Sequence, residues 1–209
     1  MGTYYKHAEQ YLDRIDSDSW VEIGVDRGEG STKFFSDLAE KRGTKFYGVD
    51  ADIGQISAAT ANLTVDGKFP AHVSLLLNKG EDFLVNWQST TPDEKISLAY
   101  LDNFDWDYWL GRQEESFVPL QKQHYRETMK VEMLNLNSQI THLVQAVRML
   151  PLMSDNSIVI CDDTWYQPSE GIFIGKCSAA IPFLMINGYK ILHQDGYRQN
   201  SGVILGRFK

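Results

Sequence analysis

The chain contains 209 residues, 43% of them apolar and 12% aromatic, enough to bury the core of a single domain over 1–209. Acidic residues outnumber basic ones by 28 to 20, and the formal charge of −8 disfavours binding to nucleic acid or to anionic membranes. With two cysteines, no secretory leader pattern and no apolar run near about 18 residues, we expect a cytoplasmic protein that binds small molecules.

Short apolar runs alternate with helix-like segments along the chain. The predicted strands cover 20–23, 46–49, 73–77, 96–101, 158–161, 189–193 and 203–207, and the predicted helices cover 31–42, 53–63, 80–87, 131–150 and a stretch ending near 187–188. Continuous apolar strands separated by helices indicate a mainly parallel sheet. The last two strands are joined by a short polar stretch that suits a hairpin. We therefore predict an α/β fold with a Rossmann-like seven-stranded sheet, one antiparallel strand near the C-terminus and helices on both faces.

Two segments in the second half of the chain carry further signals. In the helix predicted at 131–150, one apolar stripe recurs at a helical period, so we expect it to face the core: Leu136, Ile140, Leu143, Val144, Val147 and Leu150. His142 then lies on the opposite, solvated side. The segment 104–130 is longer than an ordinary connection and mixes aromatic with charged residues, which predicts a lid or a substrate-binding insertion.

The loop after the first strand is rich in glycine and carries Glu22, Gly24, Gly28, Gly30 and Ser31. Glycines let the backbone approach a ligand, and a serine can cap the helix that follows. The spacing fits neither the dinucleotide-binding pattern nor the P-loop. A carboxylate at Glu22 suits a cationic ligand, and the amino group of S-adenosylmethionine has that charge. We predict that Glu22, Gly24, Gly28 and Ser31 bind such a cofactor.

Acidic residues also follow the next predicted strands. Asp50 ends the second strand, where a carboxylate can accept both ribose hydroxyls of an adenosine. Glu81 and Asp82 follow the third strand and are placed to reach the adenine. Asp102 follows the fourth strand and is also predicted to contact the cofactor. Glu22, Asp50, Asp102 and Asp162 are all expected at or near the carboxyl edge of the sheet, where open α/β folds bind ligands.

Three acidic residues at the ends of two predicted strands indicate a site for a cation. Asp102 closes the run 96–101, and Asp162 and Asp163 close the run 158–161. Carboxylates this close repel one another unless a cation or a proton intervenes. Mg²⁺ prefers oxygen ligands and would remove the repulsion. Asp162 and Asp163 also suit a simpler role as caps of the turn that follows.

These features together resemble the class I S-adenosylmethionine-dependent methyltransferases over most of the chain. Within that superfamily, 98–102 and 158–165 are similar to the divalent-metal-dependent O-methyltransferases of the catechol and macrocin types. The resemblance implies that Asp102, Asp162 and Asp163 ligate Mg²⁺. The metal would hold the oxygens of a small-molecule acceptor, lower the pKa of its hydroxyl and aim it at the methyl group.

The chain departs from both types near the predicted metal site. Position 105 is Asp105 where catechol-type enzymes have a lysine, and Phe104 stands where macrocin-type enzymes have an acid. The general base therefore cannot be transferred by position, and residue type leaves four candidates: Asp105, His124, His142 and Lys176. We take Asp105 and His142 as the predicted catalytic residues.

Other interpretations remain open at this point. The chain could be a metal-independent methyltransferase acting on N, O or C, or a noncatalytic methyltransferase-like module that binds a partner through its aromatic insertion. A nicotinamide-dependent oxidoreductase would share the sheet, but Glu22 and the glycine spacing disfavour it. An antiparallel edge strand or the aromatic insertion could also pair subunits, which leaves a homo-oligomer open.

Overall fold

A twisted seven-stranded sheet forms the centre of the molecule. The computed structural model describes residues 3–91, 93–107, 117–194 and 201–209. The strands within these ranges are, in chain order, β1 (Ser19–Ile23), β2 (Phe46–Asp50), β3 (Val73–Leu77), β4 (Ile96–Leu101), β5 (Met153–Asp162), β6 (Thr164–Gln167), β7 (Ile172–Gly175), β8 (Lys190–Gln194) and β9 (Gly202–Arg207). The large sheet has the order β3-β2-β1-β4-β5-β9-β8.

All strands of this sheet run parallel except one. β1 pairs in parallel with β2 and β4, and β4 pairs in parallel with β5. β9 is inserted between β5 and β8 and runs antiparallel to both. The predicted fold class, with one antiparallel strand near the C-terminus, is confirmed. β1 and β4 are buried along their whole length, which explains why they appear as continuous apolar runs in the sequence.

Helices cover both faces of the sheet. They are α1 (Ser31–Arg42), α2 (Ile53–Leu63), α3 (Gly80–Thr90), α4 (Phe117–His124), α5 (Asn135–Met149) and α6 (Ala180–Ile186), with an N-terminal 3₁₀ helix (Tyr4–Arg14). One core cluster joins the sheet to α3, α5 and α6. The second joins its other face to α1 and the 3₁₀ helix. Among the helices in the described ranges, none combines the length and the apolar character needed to cross a bilayer.

One supersecondary element was not predicted. The chain between β5 and α6 was expected to be helical, but β6 and β7 form a separate antiparallel hairpin there, with Thr164 opposite Gly175. α6 begins only at Ala180. The hairpin turn contains Gly171 at φ +68°, a backbone conformation that favours glycine. The hairpin therefore places the residues that follow Gly175 next to the end of β5.

The predicted inward face of α5 is wrong. Leu136, Ile140 and Val147 of the apolar stripe are exposed, whereas the buried residues of this helix are Ser138, His142, Gln145, Ala146 and Met149. The physical reason is that α5 seals a polar region of the fold. Ser138 Oγ donates a hydrogen bond to the Phe104 carbonyl at 3.0 Å. Hydrogen bonds of this kind outweigh the amphipathic pattern here.

This reversal predicts the stability of two variants. Ile140→Gln should change the free energy of unfolding by less than about 0.5 kcal/mol, because the side chain is already half exposed. Met149→Ala should cost about 2–5 kcal/mol, since Met149 is 1% exposed and its truncation leaves a cavity. Urea unfolding of both variants measures the difference. A larger cost for Ile140→Gln than for Met149→Ala would contradict the observed orientation of α5.

Candidate active site

The loops at the carboxyl edge of the sheet enclose two adjoining pockets. The Asp50 pocket lies beyond the ends of β2 and β3, and its walls include Asp50, Asp52, Gly80 and Glu81. The Lys176 pocket lies between the glycine loop after β1, the end of β5 and the residue after β7. Four residues line both pockets and mark where they meet: Gly24, Asp26, Asp102 and Asp105.

The carboxylate of Asp50 is held rigidly at the end of β2. Its Oδ2 accepts a hydrogen bond from the Val25 N–H at 3.1 Å, and its Oδ1 accepts one from the Asp52 N–H at 2.9 Å. Burial raises the pKa of Asp50, and these backbone bonds oppose part of that rise. Each carboxylate oxygen can accept a further hydrogen bond, so Asp50 can still receive two donors from a ligand.

Of the two acids predicted to follow the third strand, one lies on the pocket wall. Glu81 lines the Asp50 pocket. Asp82 is absent from the walls described for either pocket, and its Oδ1 lies 3.5 Å from the Arg148 guanidinium of α5. Asp82 therefore stabilises the contact between α3 and α5 in this structure.

The insertion 104–130 supplies one side of the Asp50 pocket. His124 lines it from the end of α4, and Tyr125 and Met129 line it from the π-helical turn that follows (Tyr125–Met129). Val131, just after the insertion, also lines the pocket. His124 Nε2 lies 3.0 Å from Asp52 Oδ2, so the insertion is tied to the loop after β2 across the pocket. The part of the insertion at 108–116, which includes Tyr108 and Trp109, lies outside the described residues.

The glycine loop is shaped by backbone packing as well as by access to the pockets. Gly24 has φ +97°, and a Cβ there would lie 2.6 Å from the Asn103 nitrogen. Gly28 has φ +77°, and a Cβ there would lie 2.8 Å from Cα of Ala59 in α2. Gly24, Gly28 and Ser31 all line the Lys176 pocket, and Gly24 also lines the Asp50 pocket. The loop can approach a ligand because no side chain projects from either glycine.

Glu22 lies beneath this loop and is fully buried. Thr32 donates its hydroxyl to the Val25 carbonyl at 3.1 Å, and neither carboxyl oxygen of Glu22 has a hydrogen-bond partner among the described residues. Burial raises the pKa of Glu22 to about 8, although the nearby Ser31 and Thr32 hydroxyls oppose part of the rise. Glu22 is absent from the walls described for both pockets, so its binding of a cationic ligand stays a prediction.

The three predicted metal ligands come together, and a lysine lies among them. One carboxylate oxygen from each of Asp102, Asp162 and Asp163 lies within 4.8 Å of the others. Lys176 Nζ donates to Asp102 Oδ1 at 2.8 Å and forms an ion pair with Asp163, with 3.0 Å between Nζ and Oδ2. The Lys176 side chain is only 4% exposed. Tyr100 Oη donates to the second oxygen of Asp102 at 3.2 Å.

Asp105 is the predicted base that lies at the junction of the two pockets. Burial raises the pKa of its carboxyl, Lys176 opposes that rise and Asp102 adds to it. The Asp105 N–H donates to Tyr125 Oη at 2.6 Å, which fixes the backbone at this position. The sequence did not predict this contact of Tyr125. It indicated only that Tyr125 belongs to the aromatic insertion.

His142 is in a different environment from the one predicted. Its ring is fully buried rather than solvated, and Nδ1 donates to the Ser138 carbonyl at 2.7 Å. Burial lowers the pKa of His142 to about 4, so the ring is neutral near pH 7. His142 is absent from the walls described for either pocket. The hydrogen bond holds the ring within α5, and a catalytic role for His142 stays a prediction.

Comparison with known proteins finds similarity in structure alone. No protein-family model matches the sequence, and no curated protein is similar to it. A proposed rRNA-methylase from Clostridium thermocellum aligns with TM-score 0.62 and 13% identity over 100% of this chain and 98% of that one. The N-methyltransferase NodS from Bradyrhizobium japonicum aligns with TM-score 0.53 and 11% identity, covering 98% and 96%.

A third structure was determined with its methyl donor bound. Magnesium protoporphyrin IX methyltransferase from Synechocystis PCC 6803, with bound S-adenosylmethionine, aligns with TM-score 0.52 and 11% identity over 97% of this chain and 76% of that one. The three proteins act on different acceptors by their names, so the likeness concerns architecture. The chain has the Rossmann-like fold of the class I S-adenosylmethionine-dependent methyltransferases.

Proposed function

We propose that the protein is an S-adenosylmethionine-dependent methyltransferase that methylates an oxygen atom of a small molecule. The observation that carries this proposal is the meeting of the two pockets at Asp102 and Asp105. The Asp50 pocket suits an adenosine, because Asp50 can accept hydrogen bonds from two ribose hydroxyls. We assign the acceptor to the Lys176 pocket on the other side of the junction, next to the predicted cofactor contacts Gly24, Gly28 and Ser31 of the glycine loop.

The chemistry requires little beyond positioning and one proton transfer. S-adenosylmethionine supplies a methyl group on a positively charged sulfur, and that sulfur keeps the bonding electron pair when the methyl group leaves. An oxygen lone pair of the acceptor forms the new carbon–oxygen bond, and the hydroxyl proton passes to the Asp105 carboxylate. Asp105 is half-buried, and a carboxylate with a raised pKa is a stronger base than an ordinary exposed one.

The charges around the Lys176 pocket favour a neutral or cationic acceptor with hydroxyl groups. Asp26, Asp102, Asp105, Asp162 and Asp163 all line this pocket, and the chain as a whole carries a formal charge of −8. Hydroxyl groups donate hydrogen bonds to carboxylates, whereas phosphates are repelled by them. A nucleic-acid acceptor is therefore disfavoured. Offering RNA as an acceptor in the activity assay tests that expectation.

Asp50→Asn should weaken binding of S-adenosylhomocysteine by roughly 10- to 100-fold, because a hydrogen bond to a charged group contributes about 1.5–3 kcal/mol. Isothermal titration calorimetry of both proteins measures the change. Asp155→Asn is the matched control, since Asp155 is exposed near the start of β5 and the cleft lies at the other end of that strand. If wild type binds neither S-adenosylmethionine nor S-adenosylhomocysteine, the proposed function fails. Cofactor binding without methylation across a broad hydroxylated panel would favour a noncatalytic module.

A further inference from the structure

We propose that Lys176 takes the place of a divalent metal ion in the acidic cluster of Asp102, Asp162 and Asp163. In this arrangement, Lys176 positions Asp102 and Asp163 for methyl transfer, and the reaction needs no metal. The inference rests on the proposed function for the reaction itself, but the occupation of the cluster by Lys176 can be tested without cofactor.

Three carboxylate oxygens of the predicted metal site already have partners. Asp102 accepts from Lys176 through Oδ1 and from Tyr100 through Oδ2. Asp163 Oδ2 lies 3.0 Å from the same ammonium group. Lys176 Nζ also donates a hydrogen bond to the Asp102 carbonyl oxygen at 3.4 Å. Lys176 therefore contacts two oxygens of Asp102 and one of Asp163.

The backbone around Lys176 fixes its position. The Lys176 N–H donates to the Asp163 carbonyl at 3.2 Å, which extends the β6–β7 hairpin by one pairing. The next N–H, of Cys177, donates to Thr164 Oγ1 at 3.0 Å. Gly175 has φ +113°, and a Cβ there would lie 1.9 Å from the Asp163 carbonyl oxygen. The lysine is therefore held against the end of β5 by a close backbone approach that only glycine allows.

The Lys176 ammonium already places a positive charge among the carboxylates. It lies 2.8 Å from Asp102 Oδ1 and 3.0 Å from Asp163 Oδ2, and its side chain is only 4% exposed. Opposite charges at these distances attract, so the lysine relieves the carboxylate repulsion for which a metal ion was predicted.

The residues as arranged therefore do not fit a magnesium site. A divalent ion at the cluster would meet a buried ammonium at hydrogen-bonding distance from two of its ligands, and like charges at that separation repel strongly. Because Lys176 also lines the pocket beside Asp105, its positive charge faces the place where the acceptor oxygen loses its proton. The lysine thus supplies the positive charge that a metal supplies in metal-assisted transfer.

Titration with Mn²⁺, followed by electron paramagnetic resonance, tests the occupation of the cluster directly. Wild type should leave the signal of free aqueous Mn²⁺ unchanged, and Lys176→Ala should gain one bound equivalent, with affinity at least about tenfold higher than wild type. The double variant Lys176→Ala/Asp102→Asn should lose this gain. Lys33→Ala is the control, because it removes an exposed lysine paired with Asp37 in α1 and should gain nothing.

Two results would overturn the proposal. One is stoichiometric Mn²⁺ binding by wild type that Asp102→Asn abolishes, and the other is a folded Lys176→Ala protein that binds no more Mn²⁺ than wild type. If Lys176→Ala does not fold, the wild-type titration decides alone. Methyl transfer in EDTA should equal that in Mg²⁺. The Mn²⁺ titration contains no cofactor, so it tests the role of Lys176 separately from the proposed function. The calorimetry of cofactor binding tests the proposed function.

Discussion

Asp105→Asn is expected to lower kcat for methyl transfer by about 10²- to 10⁴-fold, the range typical of losing a general base. An asparagine keeps the shape of the side chain but cannot accept the hydroxyl proton. The backbone anchor should survive, because Tyr125 Oη accepts from the main-chain N–H of residue 105. Steady-state kinetics measures the loss, with folding checked by thermal unfolding.

The pH profile distinguishes a base from a structural carboxylate. Asp105 must be unprotonated to act, and burial raises its pKa, so wild-type activity should fall as the pH drops through that raised value. The residual activity of Asp105→Asn should lack this decline. Asp107→Asn is the matched control, since Asp107 is buried nearby and pairs with Lys122 at 2.8 Å outside the walls described for the pockets. Equal losses of kcat in both variants would refute the role of Asp105.

The sheet and most helices were predictable because their signals are local. The bounds of α1, α2, β3 and β4 agree with the sequence pattern. The buried strand β4 needs a continuous apolar run, and α2 begins after Asp52, whose side chain accepts a hydrogen bond from the Gly54 N–H. The antiparallel strand near the C-terminus was likewise predictable, because a short polar stretch connects the last two strands. The carboxyl edge of a parallel sheet then gathers Asp50, Glu81 and Asp102, because each follows a strand that runs in the same direction.

The content of the acidic cluster was not predictable in the same way. The sequence predicted that a cation would gather at these carboxylates, but Lys176 is 74 residues from Asp102 and follows a hairpin with no clear sequence pattern. Residue type alone made Lys176 a base candidate. Likewise, the orientation of α5 depends on hydrogen bonds such as the one from Ser138, which hydrophobic periodicity does not detect.

Glu22→Gln is expected to remove a large pH dependence of stability. The pKa of Glu22 is raised from 4.5 to about 8 by burial, so the folded protein keeps a proton that the unfolded chain releases. Stability therefore falls as pH rises from about 4.5 to about 8, by on the order of 3–5 kcal/mol for this group. A glutamine stays neutral throughout, so the variant should be more stable than wild type at about pH 9 and closer to it at about pH 5.

Urea unfolding of both proteins across this pH range measures the effect, and the difference between them isolates residue 22 from other buried acids. Glu40→Gln is the matched control, because Glu40 is exposed on α1 and its replacement should leave the pH slope of wild type unchanged. Parallel pH slopes for wild type and Glu22→Gln would show that a partner satisfies the carboxylate. Added S-adenosylmethionine supplies an ammonium group, and if that group reaches Glu22, the cofactor should stabilise wild type more than the variant at high pH.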